Sequence, residues 1–575
     1  MGSHQVSQQL SEVAEALIAK VQEPRAATIL ITVLVMLVTT RLLSGKSESG
    51  PDDARRPPRQ GYWVPFLGHV PQLALRVNGF LASVRNKYPK GAFSLSVLWQ
   101  THTVIYRPSW VATLMSQPQS VASDEWAQES LMRSNFGLKT RHTEIYRKVL
   151  PELNAQFKYI LSDSSLSEAT KITSINLRNR IGELVTFNPF PADQSDWERL
   201  AASDVVEDSP SGKIYADLDL LELVRNFVAQ TANSGLFGSD FVDNFPDFAT
   251  LLWEYDRGVP KLAMKLSWWY PDSTLYRAML ARRRLLRYLR EFHRELENYF
   301  EGRQPSVEWS DISNVGTLIK QRAMVFRKHN VPIEARASCD LALLWALNAR
   351  TSTLVFWMIY EISQDPILLA QIHEEIAPHV DACHPRNEFG PGVWLAPEIK
   401  TLDVEALVQN CPLLNAAYVE TMRVYSCAMS VKYMEQDLVL KEKDSGDSCM
   451  LLKGTYAHVP HDTHHKDPKY FESPKEWQAK RHLKESVDPK GAKSVSVDMG
   501  SIRPHEGQLV LSEGGPFTVR ELLMFTSAII SMYDFHPVGE EGPWKTVKTA
   551  NRGPTKMPAS KCKVWVRRRK LRREK

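Results

Sequence analysis

The chain opens with about 25 residues of mixed character and then turns almost uninterruptedly apolar from Ala26 to Leu43, with Thr28, Thr32, Thr39, Thr40 and Arg41 as the exceptions. A helix of about 18 residues rising ~1.5 Å each just spans a ~30 Å hydrocarbon layer, so the stretch predicts a single membrane anchor. A polar spacer, Ser44–Gly50, follows. The run Pro57-Pro58-Arg59-Gln60-Gly61-Tyr62-Trp63-Val64-Pro65-Phe66-Leu67-Gly68-His69 then combines fixed proline angles with glycine freedom, which predicts a stiff, turning hinge. Beyond it the apolar positions recur mainly at helical spacing. Tyr276–Phe300 interleaves them with arginines, as a long surface helix does, whereas Ala337–Ile362 is apolar enough to run buried through the centre. Cys411–Tyr425 and Thr518–Tyr533 predict further helices. Short β-rich pieces at Phe93–Trp99, Thr103–Tyr106 and Leu438–Leu440 predict a small sheet, and Glu442–Ser448 and Ser486–Asp498 read as mobile insertions. The fold class is therefore mainly α with a small β-sheet region.

Charge changes this picture only at the ends. Of the net +5, the terminal run Arg567, Arg568, Arg569, Lys570, Arg572, Arg573 and Lys575, less Glu574, contributes +6, which leaves the rest about neutral. A neutral body argues against a nucleic-acid footprint. The run itself reads as a solvated basic tail, with contact to an anionic membrane as the sharper alternative. Lys46, Arg55, Arg56 and Arg59 after the span, against Lys20 and Arg25 before it, favour a cytoplasmic body. The six cysteines (Cys339, Cys383, Cys411, Cys427, Cys449, Cys562) form no C-x-x-C pair and no disulfide framework, as in a reducing compartment. None lies between Cys449 and Cys562.

Several ordered motifs now combine. They are the anchor, the hinge ending in Pro65-Phe66-Leu67-Gly68, the helical Glu420-Thr-Met-Arg423 whose ends share a face, and the segment Phe471-Glu-Ser-Pro474-Lys-Glu-Trp477-Gln-Ala-Lys-Arg481. In this order they resemble the cytochrome P450 superfamily over roughly residues 27 to 545. Leu344-Trp345-Ala346 with Phe356-Trp357 looks most like the branch of prostacyclin synthase and the sterol 7-alpha-hydroxylases. The resemblance implies a P450 fold behind one transmembrane helix, with Arg481 locking the Glu420–Arg423 pair as a structural triad. It divides the chain into an N-terminal segment (1–25), an anchor (26–43), a linker and hinge (44–68), one P450-like domain (69–566) and the tail (567–575). His458, His461, His464 and His465 fall in a family loop and read as structural rather than as metal ligands.

The sequence departs from the family where the family's chemistry sits. Its haem loop, Phe-x-x-Gly-x-x-x-Cys-x-Gly before a helix, corresponds here to Arg503–Phe517, with His505 for the aromatic, Gln508 for glycine and Ser512 for the axial cysteine. A thiolate pushes electron density onto iron, and a serine hydroxyl does not. On the central helix, Ala349-Arg350-Thr351 replaces the acid–threonine pair that delivers protons to dioxygen. Arg350 suits an anionic group or developing negative charge, with a salt-bridged structural role as the alternative.

The resemblance together with these losses predicts a membrane protein of the endoplasmic reticulum, single-pass, with a cytoplasmic catalytic body. The expected partner is a lipophilic small molecule of the terpenoid, steroid or polyketide kind, held in a deep apolar chamber. The reaction expected is a redox-independent cyclisation or isomerisation in fungal specialised metabolism, with Arg350 and Thr351 as catalytic residues and no cofactor. The alternatives are a haem monooxygenase with an atypical ligand, needing a reductase, and a non-catalytic binding or scaffold protein. Trp268-Trp269-Tyr270 suits a membrane interface, with core packing as the alternative.

Overall fold

The computed structural model describes residues 24–45, 56–160, 163–208, 212–266, 270–386, 395–427, 429–442, 446–487, 493–498, 515–539, 542–552 and 555–573. Ser512 with its whole loop, and Trp268 and Trp269, lie outside the described residues. The chain divides into two compact units, Met1–Asp124 with Val431–Pro460, and Glu125–Ser430 with His461–Lys575.

The smaller unit begins with helix α1 (Pro24–Ser44), whose large apolar side chains, among them Ile31, Leu34, Val35 and Leu42, are exposed. Its C-terminal end is tied to the hinge. The Ser44 hydroxyl accepts from the Tyr62 N–H at 2.9 Å and Arg41 lies over the Trp63 ring. Gly61 lies close against this end, where a Cβ would stand 2.4 Å from the Arg41 guanidinium and displace it. The hinge is no free joint, because its backbone pairs with strand β1 (Ala92–Val97) through Gln60 N–H to Ser94 O and Ser94 N–H to Pro58 O. β1 runs antiparallel to β2 (Gln100–Ile105), and Tyr456–Pro460 joins β2 in parallel. In that sheet His102 and His458 share a hydrogen bond of 2.7 Å. Burial lowers both imidazoles, to about 4 and about 3, so each is neutral at physiological pH.

The larger unit is helical. Its principal helices are α2 (Glu125–Ser134), α3 (Thr143–Ile160), α4 (Phe248–Ala263), α5 (Ser273–Phe300), α6 (Ile333–Ala349), α7 (Thr351–Gln364), α8 (Pro412–Tyr425) and α9 (Gly515–Met532). The Asp272 carboxylate starts α5 by accepting from the Leu275 N–H at 2.8 Å. Its apolar stripe Leu275, Ala278, Leu285, Leu289, Phe292 and Leu296 is buried. α4 crosses it closely at Gly258, where a Cβ would meet that of Ala278 at 2.3 Å. α8 has proline at its first position, and a distant carboxylate, Glu375, accepts from the Leu413 and Leu414 N–H groups.

Three expectations need correction. The central stretch is two helices meeting at Arg350. There the Ala349 carbonyl accepts from the Thr353 and Thr555 hydroxyls, and the Asn348 carbonyl from Ser352, back-bonding that bends a helix without any proline. It is apolar enough to cross a membrane, but 78% of its window is buried, as befits a core helix. The basic tail is exposed at Lys570, Arg572 and Arg573 but is not a free end. Arg567 and Arg568 close the strand Lys563–Arg568 inside a four-stranded sheet, and Arg572 pairs with Asp381 beside Val380–His384. Arg568 donates to the carbonyls of Val185 and Thr186, and burial lowers its pKa. The insertion at Ser486–Asp498 is an antiparallel pairing of Leu483–Val487 with Lys493–Val497.

Candidate functional site

Glu420, Arg423 and Arg481 come together in the interior. Arg423 donates from Nε and Nη2 to the two Glu420 oxygens at 2.7 Å each, and Arg481 Nε reaches the same carboxylate at 3.0 Å. The remaining Arg423 donors go to the carbonyls of His465, Pro474 and Glu476. Burial alone would raise the Glu420 carboxyl. The bonds from Arg423, His482 and the Gln478 N–H outweigh it and hold the pKa at about 2. A fully satisfied ion pair of this kind fixes geometry, and here it welds α8 to the Phe471–Arg481 segment.

The central helix carries the second feature. Cys339, Leu343, Ala346, Leu347 and Arg350 recur at helical spacing on one face, and the first four line a mostly apolar cavity of about 80 Å³. Met132 of α2 and Leu150 and Leu153 of α3 close it from the other side. This cavity is smaller than the roughly 300–1,000 Å³ of a site for a drug-sized molecule. One turn beyond the cavity, Arg350 Nε is buried with no hydrogen-bond partner, and Nη2 touches only the Met422 sulfur at 3.5 Å. No carboxylate pairs with it among the described residues. A buried donor left unmade costs about 1–3 kcal/mol, a penalty that an arriving anion would relieve. Thr351, next along, is buried at the start of α7.

The structure adds groups that the sequence did not single out. Lys556, on the short strand Thr555–Pro558, is buried; its ammonium donates to Asp462 Oδ1 at 2.8 Å and to the Val424 carbonyl. Burial lowers its pKa to about 8 against the pull of Asp462. Its backbone carbonyl accepts from the Trp357 indole at 2.7 Å, and Trp357 stacks on Tyr425. The Tyr425 hydroxyl donates to Glu361, whose carboxyl burial raises to about 7. Lys556 and Glu361 can thus change protonation near neutrality, which suits proton transfer. A lone lysine in Pro554-Thr-Lys-Met-Pro558 gives no such signal in sequence, because its burial is set by α8 and α7.

Haem is the group the family's chemistry requires, and it can be tested against the donors present. All six cysteines of the chain are described, and burial raises every thiol, with Cys339, Cys411, Cys427, Cys449 and Cys562 at about 12. None of the six falls in the segment that corresponds to the family's haem loop, so no described cysteine takes the axial position by sequence, and no step is derived through a haem-thiolate centre. Among the described residues no group of three or more His, Cys, Asp or Glu side chains is placed to hold a metal.

Comparison with known proteins accords with the fold. Residues 199–497 match the family model "Cytochrome P450". Cytochrome P450 monooxygenase efuG of Hormonema carpetanum is 23% identical, over 95% of this chain and 97% of that protein. Cytochrome P450 monooxygenase nodJ of Hypoxylon pulicicidum is 20% identical over 94% and 95%. The 25-hydroxycholesterol 7-alpha-hydroxylase of Rattus norvegicus is 24% identical, but over 34% of this chain and 46% of its own.

Proposed function

The chain belongs to the cytochrome P450 family, and from that premise we propose that it converts a lipophilic small molecule of fungal specialised metabolism without haem-thiolate oxygen chemistry, as a cyclase or isomerase. The observation that carries this reading is the fate of the thiols. In sequence order Ser512 falls where the family has its axial cysteine, and all six cysteines of the chain lie outside that loop. The helical spacing from Leu343 to Arg350 supports the rest, because one turn past the cavity-lining Leu347 stands a guanidinium whose Nε has no partner among the described residues. A folded hydrocarbon would sit against the leucines, and Arg350 would stabilise negative charge on an oxygen substituent as bonds rearrange. Thr351 would position that oxygen. The exposed apolar helix α1 supports a single-pass anchor in the endoplasmic reticulum with the body cytoplasmic. The partial likeness to a sterol 7-alpha-hydroxylase supports a place near that branch.

A second reading, a haem monooxygenase with another ligand, is favoured by the names of the full-length relatives. Haem content and the reduced, carbon monoxide-treated spectrum of the purified full chain separate the two. The expected result is substoichiometric haem with no haem-thiolate band, and a product of the same mass as its substrate formed without reductase. A haem-thiolate band with reductase-dependent oxygen insertion would overturn the proposal. Binding without any conversion would leave a scaffold.

A further inference from the structure

The enclosed apolar cavity lies on one face of α2, through Gln128, Leu131 and Met132. The other face of the same helix, through Glu129 and Arg133, borders a second and much larger open pocket of about 660 Å³. Its chemistry is different. Leu138, Leu262, Leu266 and Met279 provide an apolar floor, while Arg133, Lys139, Lys265 and Arg282 provide four cations. The one carboxylate in the lining, Glu129, is held by Arg147 at 2.6 Å and lies 3.9 Å from Arg133, which also donates to the Thr140 hydroxyl.

These cations are not equivalent. Arg282 is committed to the structure, donating to the carbonyls of Ser134 and Asn135 at the end of α2. Lys139 lies 3.9 Å from Glu334, a loose and exposed pair. Lys265 has no carboxylate partner among the described residues and instead lies over the Trp126 ring at 5.6 Å. The helix that supplies Arg282 carries the same sign along much of its length. From Ser273 to Arg290, α5 carries arginines at 277, 282, 283, 284, 287 and 290 and no Asp or Glu. Of these, Arg277, Arg283 and Arg287 are exposed without a carboxylate partner among the described residues. Like charges crowded at one opening destabilise the empty protein and concentrate anions there.

We propose that this pocket binds an amphiphilic anion, with its chain along Leu262, Leu266 and Met279 and its carboxylate or phosphate head between Lys265 and Arg133. The pocket stands apart from the conversion proposed above, since occupancy requires no turnover. The head group has two sources, a free long-chain acid or an anionic lipid of the bilayer, and the same cations would hold either.

The test uses the full chain in phosphatidylcholine nanodiscs, with hydrogen–deuterium exchange over Glu125–Thr140 and Thr274–Arg284 as the readout. Oleate is expected to slow exchange in both segments and methyl oleate to leave it unchanged, which identifies a free acid. Slowed exchange on replacing part of the phosphatidylcholine by phosphatidylserine, without oleate, identifies a lipid head group. R133E/K265E is expected to raise the half-saturating oleate or phosphatidylserine concentration at least tenfold, and R133K/K265R to restore it. Melting curves show whether each variant is folded. Equal effects of oleate and its methyl ester, or full protection retained in a folded R133E/K265E protein, would overturn the proposal.

Discussion

Glu420 shows how much a local spacing can specify. Its pairing with Arg423 was legible because residues three apart share a helix face, and Arg481 followed from the resemblance. The Lys556–Asp462 pair was not legible, because its partners stand 94 residues apart and only tertiary packing buries them. Replacing Glu420 by alanine leaves two buried guanidinium partners uncompensated and is expected to destabilise the larger unit by about 3–5 kcal/mol, read as a fall in denaturation midpoint. The pH sign follows from the depressed pKa. Folded Glu420 titrates near 2 against an ordinary 4.5, so its contribution is complete above about 4.5 and is lost as pH falls toward 2. An E420Q protein should lack that part of the acid limb, and an unchanged limb would contradict the assignment.

At the level of elements, the helices were legible where an apolar stripe kept one period, as in α5. The break at Arg350 was not, since no proline or glycine marks it and the bending comes from hydroxyls at 352, 353 and 555. The strand Lys563–Arg568 was hidden by its own charge. Val564 and Val566 point inward in strict alternation, but two arginines at its end dominate the reading. Arg350 makes a prediction of its own at this scale. R350M, which removes an unsatisfied buried donor, should leave the protein as stable or more stable by about 1 kcal/mol while abolishing conversion of the substrate. A salt-bridged structural arginine would give the opposite pattern, lost stability with activity falling only in proportion to folded protein.

For the whole molecule, the proposed anchor α1 makes a prediction about location. Deleting residues 1–45 is expected to move the protein from the microsomal to the soluble fraction, and intact microsomes should leave the body open to added protease. A protected body would reverse the orientation. The segment that corresponds to the family's haem loop, Arg503–Phe517, departs from the family pattern at His505, Gln508 and Ser512, and the spectrum described above tests what that departure means.

The smaller unit also has a consequence for synthesis. Its sheet is built from the first 124 residues and from a strand, Tyr456–Pro460, that pairs with β2 in parallel register at Tyr456 and His102. A ribosome adding roughly 5–20 residues per second delivers that strand on the order of 15–60 s after the first segment has emerged. Throughout that interval the edge of β2 that will take the strand waits unpaired. A nascent chain arrested before Tyr456 should therefore be captured by chaperones that bind exposed strand edges, and release should coincide with the arrival of residues 456–460.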